Sequence, residues 1–346
     1  MTDVLIIGQG IAGSVLARHL EKKGFCFHIV EGKVHPSASR VAAGVWNPIA
    51  VKRFSKTWLA DETIPKAKAF FKEEAEDFGQ SFFFQKPLLK VLSNEKERNQ
   101  MLQAWEGMQP FVQEDSREEV APGVPTPFGI LKVHEAGFSD VPGYLDACKR
   151  HWEKNGQYRE ETFQHDALHF EDGYWNWKGE QYKQVVFCEG ISGKNNPWMK
   201  DLPLGSTKGQ VLELEIENLP LDGILNKQIF VLPQADGRFR VGSTYEWNAE
   251  DLNPTEAGRQ ELMQKLKSLL PEKKMEVTRQ EAGARPTTKD RRPLIGSLSE
   301  PGLYVFNGLG SRGVLLVPYL AECMCRYLEG EDAALPSEAR LERLRK

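Results

Sequence analysis

Apolar and polar positions along this chain change period several times, and the changes mark its elements. VLIIG (4–8) is an unbroken apolar run closed by glycine, the pattern of a parallel strand buried on both faces. SVLARHLEKKG follows and sets Val15, Leu16, His19 and Leu20 on related helical faces, with Gly24 as the stop. FCFHIVEG (25–32) returns to a strand pattern, which completes a βαβ opening. From about 61 to 130, charged helical stretches such as DETIPKAKAFFKEEAEDFG and SNEKERNQMLQAWEGM alternate with FFFQKPLLKVL, a single expected strand. APGVPTPFG (121–129) reads as a loop.

VPGYLDACKRHWEKNG (141–156) predicts an amphipathic helix with Tyr144, Leu145, Cys148 and Trp152 on one side. YKQVVFCEG (182–190) predicts a buried strand ending in glycine. KGQVLELEIE (208–217) has period two, which implies one wet face. IFVLPQADGRFRVGSTYEW (229–247) predicts a hairpin across Ala235-Asp236-Gly237. In NPTEAGRQELMQKLKSLLP the start signals point to Asn253 as N-cap, Pro254 in the first turn and Glu256 as a capping-box carboxylate. The tail, LYVFNGLGSRGVLLVPYLAECMCRYLEG, reads as strand, glycine-rich turn and helix. Strand–helix–strand signals at both ends, with antiparallel patterns between them, predict an α/β fold with two discontinuous lobes. The expected division is 1–60, 135–205 and 281–346 for a nucleotide-binding domain, and 61–134 and 206–280 for a substrate domain.

Composition narrows the function classes. A length of 346 residues exceeds a single core, and a formal net charge of −4 argues against nucleic acid as the main partner. No apolar run is long enough for a membrane span, and the first residues form a strand rather than a signal peptide. The five cysteines are scattered and odd in number, which suits a reducing cytoplasm rather than a disulfide framework. Cys323 and Cys325 lie in an apolar helical run with no second pair at ligand spacing, so no metal site is expected.

GQGIAG (8–13) matches G-x-G-x-x-G after a buried strand and before a helix. In that setting Gly8 makes the tight turn, Gly10 admits a pyrophosphate, and Gly13 allows close helix–strand packing. Glu31, at the end of the second strand, can accept both ribose hydroxyl protons. This motif alone leaves NAD and FAD open. Three further stretches favour FAD. AAGVWNP places Ala43 and Gly44 just after the ribose-binding strand. VVFCEG ends at Gly190, and GLGSRGVLLVP is a third glycine turn opening a helix, whose N-terminal dipole suits a reduced, anionic flavin.

Taken together, GQGIAG with Glu31, AAGVWNP, FVLPQADGRFRVGST, GARPTTKDRRPLIG and GLGSRGVLLVP resemble, in order, the flavoprotein superfamily of D-amino acid oxidase, glycine oxidase and sarcosine oxidase. The resemblance runs from Val4 to about Leu328 and is nearest the glycine oxidase branch. It implies a Rossmann-like FAD-binding domain of the glutathione-reductase type, with an inserted, mainly antiparallel sheet and helices as substrate domain. Flavin contacts then fall on Ile11, Ala12, Glu31, Gly32, Ser39, Arg40, Ala43 and Gly44, and on the turn containing Gly310, Ser311, Arg312, Gly313, Val314 and Leu315. The family's G-x-R-P arginine is here Arg285, which the resemblance places on a substrate carboxylate over the flavin; a structural or flavin-facing Arg285 is the alternative. Residues 276–300 contain no cysteine, so non-covalent FAD is expected.

The chain departs from the pattern twice. Phe230 stands where relatives carry a tyrosine hydroxyl, and Tyr245 on the paired strand is the candidate substitute. GLGSRG resembles instead the flavin domain of a bifunctional tRNA wobble-uridine enzyme, so Arg312 faces either flavin or substrate. Arg291 and Arg292 read as surface or interdomain charges, Lys52, Arg53 and Lys56 as cavity-mouth residues or a solvated face, Trp46 as core or cofactor neighbour, and Asp290 as the cap of its own turn. The expectation is oxidation of a C–N bond in a small amine or amino acid, with oxygen or another electron acceptor and an undecided homo-oligomeric state. A tRNA side-chain oxidoreductase and a flavin subunit of a larger dehydrogenase are the alternatives.

Overall fold

The computed structural model describes residues 2–32, 37–247, 249 and 251–344. The opening unit is β1 (Thr2–Ile7), α1 (Ile11–Lys22) and β2 (Phe27–Glu31), joined in parallel. A long helix α2 (Ala60–Phe78) and a second, α3 (Val141–Lys154), precede β3 (Glu180–Phe187). The chain then runs through β4 (Gly205–Ile216), β5 (Ile229–Pro233), β6 (Phe239–Gly242), α4 (Glu256–Leu269) and β7 (Met275–Thr287). It closes with β8 (Leu303–Asn307) and α5 (Gly313–Leu328).

Among the described residues, two large sheets organise these elements. The first has eight strands, with β1 parallel to β2 on one side and to β3 on the other, and β8 parallel to β3 beyond it. Both faces are covered, which explains why VLIIG has no polar position. Val4 and Ile6 pack with the residues of α1, α3 and α5, while Leu5 and Ile7 pack with Trp175, Trp177 and Phe187. Burying each such side chain contributes about 1.5–3 kcal/mol. Gly24, at φ +80°, follows the last turn of α1.

The second sheet has nine strands. Its spine is β4, paired antiparallel with β6 on one edge and with β7 on the other. The hairpin of β5 and β6 forms across Ala235-Asp236-Gly237, as the turn signal predicts. Helix α4 covers one face, with Leu262, Leu266 and Leu269 against Leu212, Leu214 and Val241.

Several local expectations are corrected. The cap of α4 is Thr255, whose Oγ accepts from Gly258 N–H at 3.2 Å; Asn253 instead bonds to Asp251. FFFQKPLLKVL is two strands, Phe83–Gln85 and Leu88–Val91, in different sheets, because Pro87 has no N–H for a ladder. APGVPTPFG contributes to a short hairpin, Glu119–Ala121 with Val124–Pro125, turning at Gly123. The wet face of 208–217 extends only over Glu213, Glu215 and Glu217. Lys208 and Gln210 are buried, and the Gln210 carboxamide bonds to Thr255 at the head of α4. Position 280/281 falls inside β7, whose residues stay paired with β4 up to Gly205↔Thr287.

Helix α2, from the stretch assigned to the substrate domain, packs on α5 and anchors α1. Arg18, buried in α1, reaches Glu74 (2.7 Å), Asp77 and Glu21, and Tyr144 of α3 donates to Glu74 at 3.1 Å. No helix among the described residues is long and apolar enough to cross a membrane.

Candidate active site

The glycine-rich turn after β1 is shaped by backbone approach. Gly8 has φ +107°, and a Cβ on it would meet the Cys188 carbonyl oxygen at 2.5 Å. A Cβ on Gly13 would sit 1.9 Å from the Gly8 carbonyl oxygen. Neither position admits a side chain, so α1 starts close against β1 and β3. Ile11 N–H donates to Ser39 Oγ at 3.1 Å, and α1 has no acidic residue in its first turn. With Ile11 N–H engaged, the Ala12 and Gly13 amides are the first without an acceptor among the described residues and stand open to an anion. The Ala12 side chain is buried. Gly44, at φ +67°, lies so near Ser139 that a Cβ would be 1.9 Å from its carbonyl oxygen; Ala43 is partly exposed beside it.

At the end of β2, Glu31 accepts from Gln9 N–H with one carboxylate oxygen. Gln9 is itself held by Ser14 Oγ and the Leu145 carbonyl, and Arg40 spans from Gln9 to Asp146. Gly32 follows, partly exposed. Among the described residues the second carboxylate oxygen of Glu31 has no hydrogen-bond partner, which leaves it able to accept from a ribose. Burial raises the Glu31 pKa, against the Gln9 bond and Arg40. Protonation removes the acceptor, so affinity for the ribose of a dinucleotide falls on acidification, from a higher pH than an ordinary glutamate would impose. One proton limits that fall to about tenfold per pH unit. Release of cofactor fluorescence against pH checks this, with Glu31→Gln expected to flatten the profile.

The other two glycine turns are tied together by Asn307 at the end of β8. Its Nδ2 donates to the Gly190 carbonyl at 2.8 Å, and its Oδ1 accepts from Gly308 N–H at 2.8 Å. Gly190 and Gly310 have φ +55° and +59°. Gly313 opens α5 with a would-be Cβ 3.4 Å from Ile11, which brings the two helix starts together; Val314 and Leu315 are buried and Ser311 is exposed.

Arg285 lies on β7 opposite Thr207 of β4. Its Nη2 donates to Ser243 Oγ at 2.8 Å, while its Nη1 is buried without a partner. The guanidinium rests on Gly209, where a Cβ would lie 2.3 Å from Nη2. Tyr245 meets Arg285 with its ring, 4.8 Å from the guanidinium carbon, rather than with its hydroxyl. Phe230 packs against Gly242, beside Ser243, so the hydroxyl at this arginine comes from Ser243. Burial lowers the Arg285 pKa, with Tyr245 opposing.

Arg312 donates to the Asn47 carbonyl at 3.5 Å. Burial lowers it to about 10, Tyr245 pulls it up, and Arg53 and Arg291 push it down, so it remains charged at neutral pH. Lys52 Nζ lies 5.8 Å from the Tyr245 ring. The Tyr245 ring thus lies near two cations, Arg285 of β7 and Lys52.

The remaining residues are placed as follows. Trp46 is buried and stacked on Phe83 at 4.3 Å, a core position. Arg292 lies over Trp58, Lys56 pairs with Asp61, and Asp290 accepts from Arg292 N–H while pairing with Arg343. Cys323 and Cys325 are buried in α5. Sequence reasoning missed Gln9, Gly209, Ser243 and Asn307. Gln9 and Asn307 adjoin glycine motifs and carry a local signal. Gly209 and Ser243 are defined by strand register, which no local pattern reveals.

A family model described as FAD dependent oxidoreductase (DAO) matches residues 3–327. The tRNA 5-methylaminomethyl-2-thiouridine biosynthesis bifunctional protein MnmC of Pseudomonas putida (strain W619) is 25% identical over 391 residues, covering 96% of this chain and 57% of that protein. Its counterpart in Marinobacter nauticus is 24% identical, covering 96% and 56%. The chain therefore spans little more than half the length of these relatives. Among solved structures, glycine oxidase from Geobacillus kaustophilus superposes with a TM-score of 0.81 at 20% identity, covering 98% of both chains. Iminodiacetate oxidase from Chelativorans sp. BNC1 gives 0.79 at 20%, again over 98% of each. At these identities the structural likeness shows the fold.

Proposed function

Since this chain belongs to the FAD-dependent oxidoreductase family, we propose that it oxidises a C–N bond in a small amine or amino acid whose carboxylate is held by Arg285. FAD fits the residues present. Backbone at Gly8, Gly13 and Gly44 approaches too closely for side chains, the Ala12 and Gly13 amides at the start of α1 are open, and among the described residues Glu31 keeps one oxygen for a ribose. When bound, FAD supplies the two-electron acceptor for a hydride leaving the carbon next to nitrogen.

The observation that carries the reading is the buried, unpartnered Nη1 of Arg285. A buried guanidinium donor without an acceptor costs about 1–3 kcal/mol or more, and a carboxylate removes that cost with a charge-assisted bond. Ser243 and Gly209 fix the plane of the fork, so a bound carboxylate is held in one orientation. The amine needs no basic side chain if it arrives neutral. Imine hydrolysis then proceeds in water.

The test is an anaerobic screen of the FAD-loaded protein against amines and D- and L-amino acids, following loss of flavin absorbance. Carboxylate-bearing amines are expected to bleach the flavin while the corresponding plain amines do not. Equal bleaching by both, or failure to take up FAD at all, sinks the reading. A second reading, oxidation of a modified tRNA base, is favoured by the exposure of Tyr245, 54%, beside Lys52, and of Trp247, 59%, two residues on. Salt-sensitive binding of tRNA would support it.

A further inference from the structure

We infer that Ser243 is a second binding residue for the substrate carboxylate, its hydroxyl donating to one oxygen while Arg285 Nη1 holds the other. The inference rests on the reading of Arg285 as the carboxylate anchor and adds to it a direct contact from the end of β6.

A guanidinium carries donors only, so in the 2.8 Å contact with Arg285 Nη2 the Ser243 oxygen is the acceptor. The serine proton takes no part in that bond. Among the described residues Ser243 Oγ, half-buried, has no other hydrogen-bond partner. Its proton is therefore unassigned within the fold, as is Arg285 Nη1, which is buried without an acceptor. The two free donors belong to groups already in contact, so one ligand group can reach both. Accepting a bond from a cation also polarises the hydroxyl and strengthens the bond that it donates.

Backbone fixes Ser243 on both sides. Gly242 pairs with Val211 of β4, and Thr244 Oγ accepts from Gln210 N–H at 2.9 Å. The guanidinium is held against Gly209, where a Cβ would lie 2.3 Å from Nη2 and 2.4 Å from Nη1. Donors set in place by strand register need little ordering when a ligand arrives. Phe230 brings no oxygen of its own; its Cζ would lie 3.0 Å from a Cβ on Gly242. The pair thus matches a group with two acceptor oxygens, which an ionised carboxylate presents and a primary amide does not.

The experiment titrates the FAD-loaded protein with acetate by calorimetry, at fixed pH and ionic strength, as wild type, Ser243→Ala and Ser243→Thr. Ser243→Ala is expected to weaken acetate about tenfold or more, as loss of a hydrogen bond to a charged group implies, and Ser243→Thr to keep most of the affinity. A serine that only steadies Arg285 is told apart in an Arg285→Lys background, which has no planar fork to steady. There Ser243→Ala is still expected to cost about tenfold. The carboxylate stretch of carbon-13 acetate, read by infrared at saturation, should shift in Ser243→Ala and return in Ser243→Thr. Unchanged affinity in Ser243→Ala, no further loss in the lysine background, or a stretch that ignores the serine overturns the inference. Arg285→Gln is the separate arm. If it leaves acetate affinity unchanged, the anchor reading falls. If it lowers acetate affinity while Ser243→Ala does not, only the serine contact falls.

Discussion

Arg285→Gln is expected to lower kcat/KM for the amine identified by the anaerobic screen by about 30- to 5,000-fold, mostly through KM. Truncating one partner of a buried, hydrogen-bonded charge pair costs about 2–5 kcal/mol, and each 1.4 kcal/mol is tenfold. Arg285 qualifies because its Nη1 is enclosed and its Nη2 is already committed to Ser243. Glutamine retains a donor but neither the charge nor the planar fork. Arg285→Lys restores the charge alone and should recover only part of the loss. Gly209→Ala tests the same group differently. Its new methyl would fall 2.3 Å from Nη2, at the far end of a flexible side chain, so the guanidinium moves while the fold stands. The expected result is a drop in kcat/KM of about tenfold to a hundredfold at an unchanged melting temperature. Steady-state kinetics that show neither variant impaired would remove Arg285 from the substrate site.

The second large effect concerns the cofactor. Gly13→Ala should abolish retention of FAD and destabilise the fold by about 1–3 kcal/mol or somewhat more. The clash at 1.9 Å is with the Gly8 carbonyl, which is backbone, so no side chain can swing aside. The start of α1 must withdraw from β1, and the amides that would face a pyrophosphate go with it. Gly190→Ala provides the contrast. Its Cβ has nothing within 4 Å, and its φ of +55° costs only about 1–2 kcal/mol of left-handed backbone strain. The flavin-to-protein ratio after purification and the thermal melting curve together rank the two. A Gly13→Ala protein that keeps full flavin and its melting temperature contradicts the assignment.

The cofactor half was largely legible because its signals are local. VLIIG is apolar without interruption since both faces of β1 are buried, and GQGIAG follows it directly. The hairpin turn at Asp236-Gly237 and the self-capping of Asp290 were readable for the same reason. Long-range placement was not legible. Period two in 208–217 signalled a wet face, which holds at Glu213, Glu215 and Glu217, but α4 covers the opposite face, where Gln210 becomes a buried link to Thr255. That link also explains why Thr255, and not Asn253, caps α4. Arg285 stood out by its G-x-R-P setting, yet its neighbours Gly209 and Ser243 come from β4 and the end of β6. Only the register Thr207↔Arg285 and the pairing of Val211 with Gly242 bring them together. The meeting of Lys52 and Arg285 at the Tyr245 ring likewise joins three distant stretches and left no trace in any one of them.

The first sheet places β1 beside β3, with β8 next, and α1 against α5, so the cradle at 8–13 is completed by the turn at 308–313. These pieces lie about 300 residues apart. During synthesis at ~5–20 residues per second, β1 and α1 wait roughly 15–60 s for the strand and helix that complete their surroundings. The apolar VLIIG segment must stay shielded through that interval, and free FAD cannot rescue a half-made chain. Loading is consequently expected late in the protein's biogenesis, and pairings this far apart along the chain favour slow folding.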